Sequence, residues 1–186
     1  MNIKVASISK ESSHIIFITG GTKSGKSEFA EHLAKDIKNL SYVALSENNL
    51  EDKEWQRRIY LHQKRRPKDW ELIETTDLLN TLRKKDGPLL IDSIGGFIME
   101  SIDKEHKQWL TNMNSLINLL KKRKFVTLIV GEQVGWSLVS EYKAGNTYIE
   151  RIGELQKKIT KISNNNWLAI NGRAIKIDEI SIEIPT

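Results

Sequence analysis

The chain has 186 residues, 39% of them hydrophobic and 28% charged, a length and balance that fit one globular domain with a sizeable core. It contains no cysteine, which excludes disulfides and thiolate metal sites, and no apolar run approaches the ~18 residues that a membrane span requires. The net charge of +5 is spread along the chain, without the compact basic patch and interleaved aromatics of a nucleic-acid binder; such a balance suits small anionic ligands.

Residues 1–13 are polar and without periodicity, so they are expected to form a flexible extension before a single domain over 14–186. Met1 to Glu11 lack an apolar stretch of signal-peptide length, and a cytoplasmic protein is expected. The first strand is predicted at His14 to Thr19. After it comes Gly20-Gly21-Thr22-Lys23-Ser24-Gly25-Lys26-Ser27, and then a helix from Glu28 to Lys38 whose Phe29, Leu33 and Ile37 recur at spacings of four.

That octapeptide is the phosphate-loop signature G-x-x-x-x-G-K-[ST] in the strand-to-helix setting it requires. Small residues let the backbone wrap a phosphate with its N–H groups turned inward, and the new helix adds a positive N-terminal end. Lys26 is expected to reach the β- and γ-phosphates, and the Ser27 hydroxyl to coordinate Mg²⁺. Nucleotide contact is therefore expected across Gly20, Gly21, Thr22, Lys23, Ser24, Gly25, Lys26 and Ser27.

A second strand is predicted at Ser41 to Leu45, and a charged helix at about Leu50 to Arg65, ended by Pro67. On that helix Arg58, His62 and Arg66 are spaced four apart and Arg65 lies three from His62, so one face presents an imidazole among guanidiniums. Positive neighbours favour the neutral imidazole, whose lone pair is free to attack phosphorus or bind a metal; a solvated helix face is the alternative.

Trp70 to Glu74 reads as a short strand and Thr76 to Lys85 as a helix with Leu78, Leu79 and Leu82 on one side. Asp86-Gly87-Pro88 breaks the chain before the buried-strand pattern Leu89-Leu90-Ile91-Asp92. A carboxylate at the end of an apolar strand is the usual second holder of Mg²⁺ in phosphate-loop proteins, and Asp92 is expected to take that part here, a surface or capping Asp being the alternative. Helices are predicted at Gly96 to Ile102 and His106 to Lys122, a strand at Phe125 to Val130, a loop from Gly131 to Asn146, and a helix at Thr147 to Ile162. Trp167 to Ile170, the turn pair Asn171-Gly172 and Ala174 to Ile177 form a closing hairpin. Trp136, in the loop after Gly135, is expected to pack against the protein, with ligand contact as the alternative. Strands alternating with helices, together with the loop, predict an α/β, phosphate-loop NTPase-like (RecA-like) three-layer fold with a mostly parallel sheet, whose ligands bind beyond the strands' carboxyl ends.

The loop, Tyr42-Val43-Ala44, Arg58-Ile59 with His62, Arg66-Pro67 with Trp70 and Glu74, and Leu90-Ile91-Asp92-Ser93 occur in a distinctive order and spacing. From about Ile15 to Ile177 the chain resembles the bifunctional adenosylcobinamide kinase and adenosylcobinamide-phosphate guanylyltransferase family of cobalamin biosynthesis. The resemblance implies phosphorylation of adenosylcobinamide by ATP or GTP, then transfer of GMP from GTP to the phosphate through a guanylylated histidine. It places that histidine at His62, adds Arg58, Arg65, Arg66 and Glu74 to the nucleotide-binding residues, and implies a homotrimer. Where the family usually has Asn-Glu-Val-Gly, this chain has Glu132-Gln133-Val134-Gly135; a family Arg-Asp pair is replaced around Ile149-Glu150, Gln156 stands for Asn, and Lys23 for Arg. A monofunctional small-alcohol kinase, or a nucleotide-binding homologue that has lost one or both activities, are the alternative readings.

Overall fold

A computed structural model describes residues 14–45, 67–136 and 140–185. Among the described residues seven strands form one sheet: β1 (Ile15–Gly20), β2 (Ser41–Ala44), β3 (Glu71–Glu74), β4 (Leu89–Asp92), β5 (Thr127–Glu132), β6 (Asn165–Ile170) and β7 (Arg173–Lys176). Their spatial order is β3-β2-β4-β5-β1-β6-β7, and every pairing is parallel except that of β6 with β7. Among the described residues the α-helices are α1 (Lys26–Ala34), α2 (Leu78–Lys84), α3 (Gly95–Met99), α4 (His106–Lys121) and α5 (Lys143–Ile162).

Strands buried on both faces read as continuous apolar runs, and their period of two divides the side chains between two cores. Ile15 and Phe17 of β1, Leu89 and Ile91 of β4 and Ile129 of β5 join the cluster formed with α2 to α5. Ile16, Ile18, Leu90, Leu128 and Val130 face the other way, into the cluster with Ala30 and Ala34 of α1. The expected α/β fold with helices on both faces of a mostly parallel sheet is what forms. Buried Arg123 fastens one end of the sheet: its Nε donates to Thr127 Oγ1 at 2.8 Å and its Nη1 to Lys85 O at 3.0 Å.

Several boundaries differ from expectation. Helix α1 stops at Ala34 rather than Lys38: the Ile37 N–H turns back to Ala34 O at 2.8 Å and Asn39 takes φ 55°, so Ile37 enters the core from the turn. The predicted loop over 131–146 is shorter at both ends. β5 runs through Glu132 because it pairs with β1 as far as Gly20, and α5 begins at Lys143, one turn before the amphipathic pattern starts. The hairpin forms as predicted, with Asn171 and Gly172 at φ 49° and 73°, the pair of positive values that a two-residue type I′ turn demands. Trp136 is 66% exposed in a turn past the end of β5 and does not pack as expected. The predicted extension over 1–13 and the charged helix over 50–65 lie outside the described residues.

Candidate functional site

In a parallel sheet the carboxyl ends of all strands share one edge, and here that edge collects the polar residues. The phosphate loop leaves β1 at Gly20 and enters α1 at Lys26. Gly25 sits at φ 92°, a conformation that glycine adopts without strain, and no side chain caps the first turn of α1. Its leading N–H groups therefore point outward at the loop, where an anion is favoured. Lys26 Nζ donates to Gly21 O at 3.2 Å, which holds the ammonium over its own loop. The hairpin turn braces the cradle from the far side, with the Gly172 N–H bonded to Ser24 O at 3.1 Å.

Gly20 is glycine for a packing reason. A Cβ there would press into Ala169 O of the neighbouring β6 and lie 2.6 Å from Ser24 Oγ. Gly20→Ala is expected to destabilise the protein by about 1–3 kcal/mol, the ordinary cost of overpacking, and to distort the loop entrance. A thermal melt tests this, and an unchanged midpoint would contradict it.

Asp92 ends β4 two strands from β1. The Ser27 hydroxyl donates to its Oδ1 at 3.2 Å, and Tyr42, from the adjoining β2, donates its hydroxyl to Oδ2. The fold thus joins the two residues expected to hold Mg²⁺, although 65 positions separate them in the chain. The Tyr42 bond fixes the carboxylate's orientation. Glu74 ends β3 on the same edge, but four strands from β1; at about 4.8 Å per strand that is roughly 19 Å from the loop, so it does not join the cradle. His62, Arg58, Arg65 and Arg66 lie outside the described residues.

Glu132 ends β5, between the loop and Asp92, and was not among the residues expected in the site. Ser93, the residue after Asp92, donates its hydroxyl to Glu132 Oε1. Burial pushes the Glu132 carboxyl above the usual glutamate range, against the opposite pull of the Ser93 hydrogen bond and the Lys26 charge. Tyr148 of α5 lies close by, its phenol held protonated by burial and by the Glu132 charge. A Cβ on Gly95 would collide with Tyr148 Oη and fall 2.9 Å from both Glu132 carboxylate oxygens, so a glycine makes the room for this group.

The neighbouring Gln133 turns elsewhere. Its Nε2 donates to Thr19 Oγ1 at 3.1 Å and to Gln156 Oε1 at 2.9 Å, while Gln156 Nε2 donates to Glu132 O at 2.7 Å. This amide clasp ties the strand ahead of the phosphate loop to α5 and needs a donor at position 133. A carboxylate there would set acceptor against acceptor. One signal for Glu132 was present in the sequence: a carboxylate just past an apolar run, two residues beyond Val130, as Asp92 directly follows Ile91.

The chain is similar to several known proteins. The sequence model of a family described as cobinamide kinase / cobinamide phosphate guanyltransferase matches residues 16–177. A bifunctional adenosylcobalamin biosynthesis protein of Escherichia coli is 26% identical over 181 residues, covering 88% of this chain and 99% of that protein. One from Pseudomonas aeruginosa is 29% identical over 150 residues, covering 77% and 86%. Among solved structures, an ATPase of a bacterial type III secretion system superposes with a TM-score of 0.55 at 11% identity, over 90% of this chain and 59% of that one. A protein of Pyrococcus horikoshii does so with 0.54 at 6% identity, over 95% and 93%. These two likenesses concern the fold alone.

Proposed function

The chain belongs to the cobinamide kinase / cobinamide phosphate guanyltransferase family, and from that premise we propose that it carries out both reactions: phosphorylation of the adenosylcobinamide hydroxyl by ATP or GTP, then transfer of GMP from GTP to the new phosphate. The observation that carries the reading is the meeting of Ser27 and Asp92 at 3.2 Å beside an uncapped helix N-terminus. That is the arrangement a nucleoside triphosphate and its metal require.

In the first reaction the loop's N–H groups and Lys26 bind the β- and γ-phosphates and offset the charge that builds on the leaving diphosphate. Ser27 and Asp92 present oxygen donors, the kind that Mg²⁺ selects, and no cluster of three or more acidic or histidine residues occurs among the described residues. Two protein oxygens, with the rest left to phosphate and water, fit that ion. When bound, Mg²⁺ supplies Lewis-acid neutralisation of the phosphate oxygens. Tyr42 keeps Asp92 aimed at the cradle.

In the second reaction His62 attacks the α-phosphate of GTP. A nitrogen–phosphorus bond forms, the bond to the bridging oxygen breaks, and pyrophosphate leaves. The substrate's phosphate then displaces His62 and takes the GMP group, so one displacement becomes two. Arg58, Arg65 and Arg66 stabilise phosphate charge, and Glu74 contacts the nucleotide away from the loop. The resemblance supports these assignments. It also supports a homotrimer; the chain length supports one catalytic domain over residues 14–186, and the cysteine-free composition fits a cytoplasmic enzyme.

Both reactions are to be followed separately on purified protein with Mg²⁺, adenosylcobinamide or its phosphate, and either nucleotide. Formation of the phosphate and then of the GDP derivative is expected. Tight nucleotide binding with neither product would leave only a nucleotide-binding homologue, and the phosphate alone would leave a monofunctional kinase. Asp92→Asn is expected to raise the Mg²⁺ needed for turnover by about 10- to 100-fold while leaving the fold nearly intact. A Mg²⁺ titration of both proteins checks this, and equal activity at limiting metal would remove Asp92 from the metal site.

A further inference from the structure

The geometry points to a proton route built from Ser93 and Glu132: Ser93 Oγ meets the acceptor hydroxyl, and Glu132 receives the proton that phosphoryl transfer releases. This rests on the phosphoryl-transfer reading above.

Three features of the fold lead there. Ser93 directly follows Asp92, whose carboxylate accepts the Ser27 hydroxyl, so its own hydroxyl lies one residue from the place where the phosphates are held. That hydroxyl donates to Glu132 Oε1. The other carboxylate oxygen, Oε2, is buried and has no hydrogen-bond partner. Leaving a buried acceptor unsatisfied is unfavourable, and a carboxylate in that state gains by taking up a proton.

The surroundings keep this carboxylate in place. Gln156 Nε2 holds the Glu132 carbonyl at 2.7 Å, Gln133 secures Gln156, and the absent side chain of Gly95 leaves space for Glu132 beside Tyr148. Lys26, Asp92 and Tyr148 are the ionisable groups whose charge or burial is coupled to it. The exchange at 132–133 has a concrete meaning in this chain: the amide serves the clasp and the carboxylate faces the site.

The step balances. The acceptor oxygen bonds to the γ-phosphorus, and the bond from that phosphorus to the β–γ bridging oxygen breaks, its electron pair leaving with the nucleoside diphosphate. The acceptor's proton passes to Ser93 Oγ as the Ser93 proton passes to Glu132, which returns it to water after product release.

The test measures kcat and KM for adenosylcobinamide phosphorylation, nucleotide affinity and thermal midpoint in Glu132→Gln, Ser93→Ala, Ser93→Thr and the Ser93→Ala/Glu132→Gln double variant. Glu132→Gln and Ser93→Ala are each expected to lower kcat by about 10²-fold, the lower end of the usual range for a lost proton acceptor, with the acceptor KM little changed. Ser93→Thr, which keeps a hydroxyl, should recover most of the loss. The double variant should be no worse than the poorer single one, because the two groups act as a unit. Glu132→Gln removes an unsatisfied charge and should melt no lower than the parent. Near-parental kcat in Glu132→Gln, or losses that multiply in the double variant, would overturn the route while leaving the kinase reading standing. A parent protein that phosphorylates no acceptor would overturn both.

Discussion

Lys26→Met is expected to lower kcat for phosphoryl transfer by about 10²- to 10³-fold, the loss typical when one preorganised charge donor is taken from a developing anion. The reason is local. The loop's N–H groups act on the phosphates as dipoles, whereas the ammonium brings a full positive charge to the bond that breaks, and methionine keeps the length and apolar stem of the side chain without that charge. Lys26 contacts Gly21 O within its own loop rather than the core, so the substitution leaves the sheet's packing alone. Steady-state kinetics beside a thermal melt make the measurement. An unchanged kcat with an unchanged melt would show that the cation contributing to phosphoryl transfer is another one.

His62→Ala is expected to abolish guanylyl transfer, a loss of at least about 10³-fold, because the covalent route disappears rather than weakens. Incubating the parent protein with labelled GTP and Mg²⁺ should give an acid-labile protein adduct that the variant does not form. Acid lability is the signature of a phosphorus–nitrogen bond and separates it from an ester on serine. A parent protein that never acquires label would remove the histidine intermediate from the mechanism. Label retained in His62→Ala would move it to another side chain.

The two predictions draw on different sources. Lys26 was legible because the phosphate loop is a local device: eight consecutive residues between one strand and one helix specify both its conformation and its ligand. The same holds for β1, β4 and β5, whose apolar runs admit few readings other than strands buried on both faces. The hairpin was legible too, since Asn171-Gly172 is a pair suited to positive φ at both positions. The start of α5 was hidden. Residues 143–146 include Gly145, which carries no amphipathic signal and comes close to the Ser140 side chain.

Glu132 and Gln133 show where reading residue by residue stops. Side by side in the chain, both are candidates for the group facing the nucleotide. Their hydrogen bonds divide the roles, and the partners that decide it, Ser93, Thr19 and Gln156, come from three other segments. Trp136 makes the same point in reverse: its size suggested packing, yet its turn lies past the strand ends, where no described element covers it.

By itself, then, the sequence determined the parts: the anion cradle, the succession of strands and helices, the family pattern and the histidine within it. Each motif among these is specified by neighbours within a few residues, and the family pattern by their order along the chain. Only the tertiary structure decided the order of the strands across the sheet, and that order sets Asp92 against Ser27, Ser93 against Glu132, and Glu74 four strands away. The physical reason is that parallel strands must be joined by long crossovers. Which strand ends become neighbours is settled by how two cores pack around the sheet, a property that no short stretch of the chain contains.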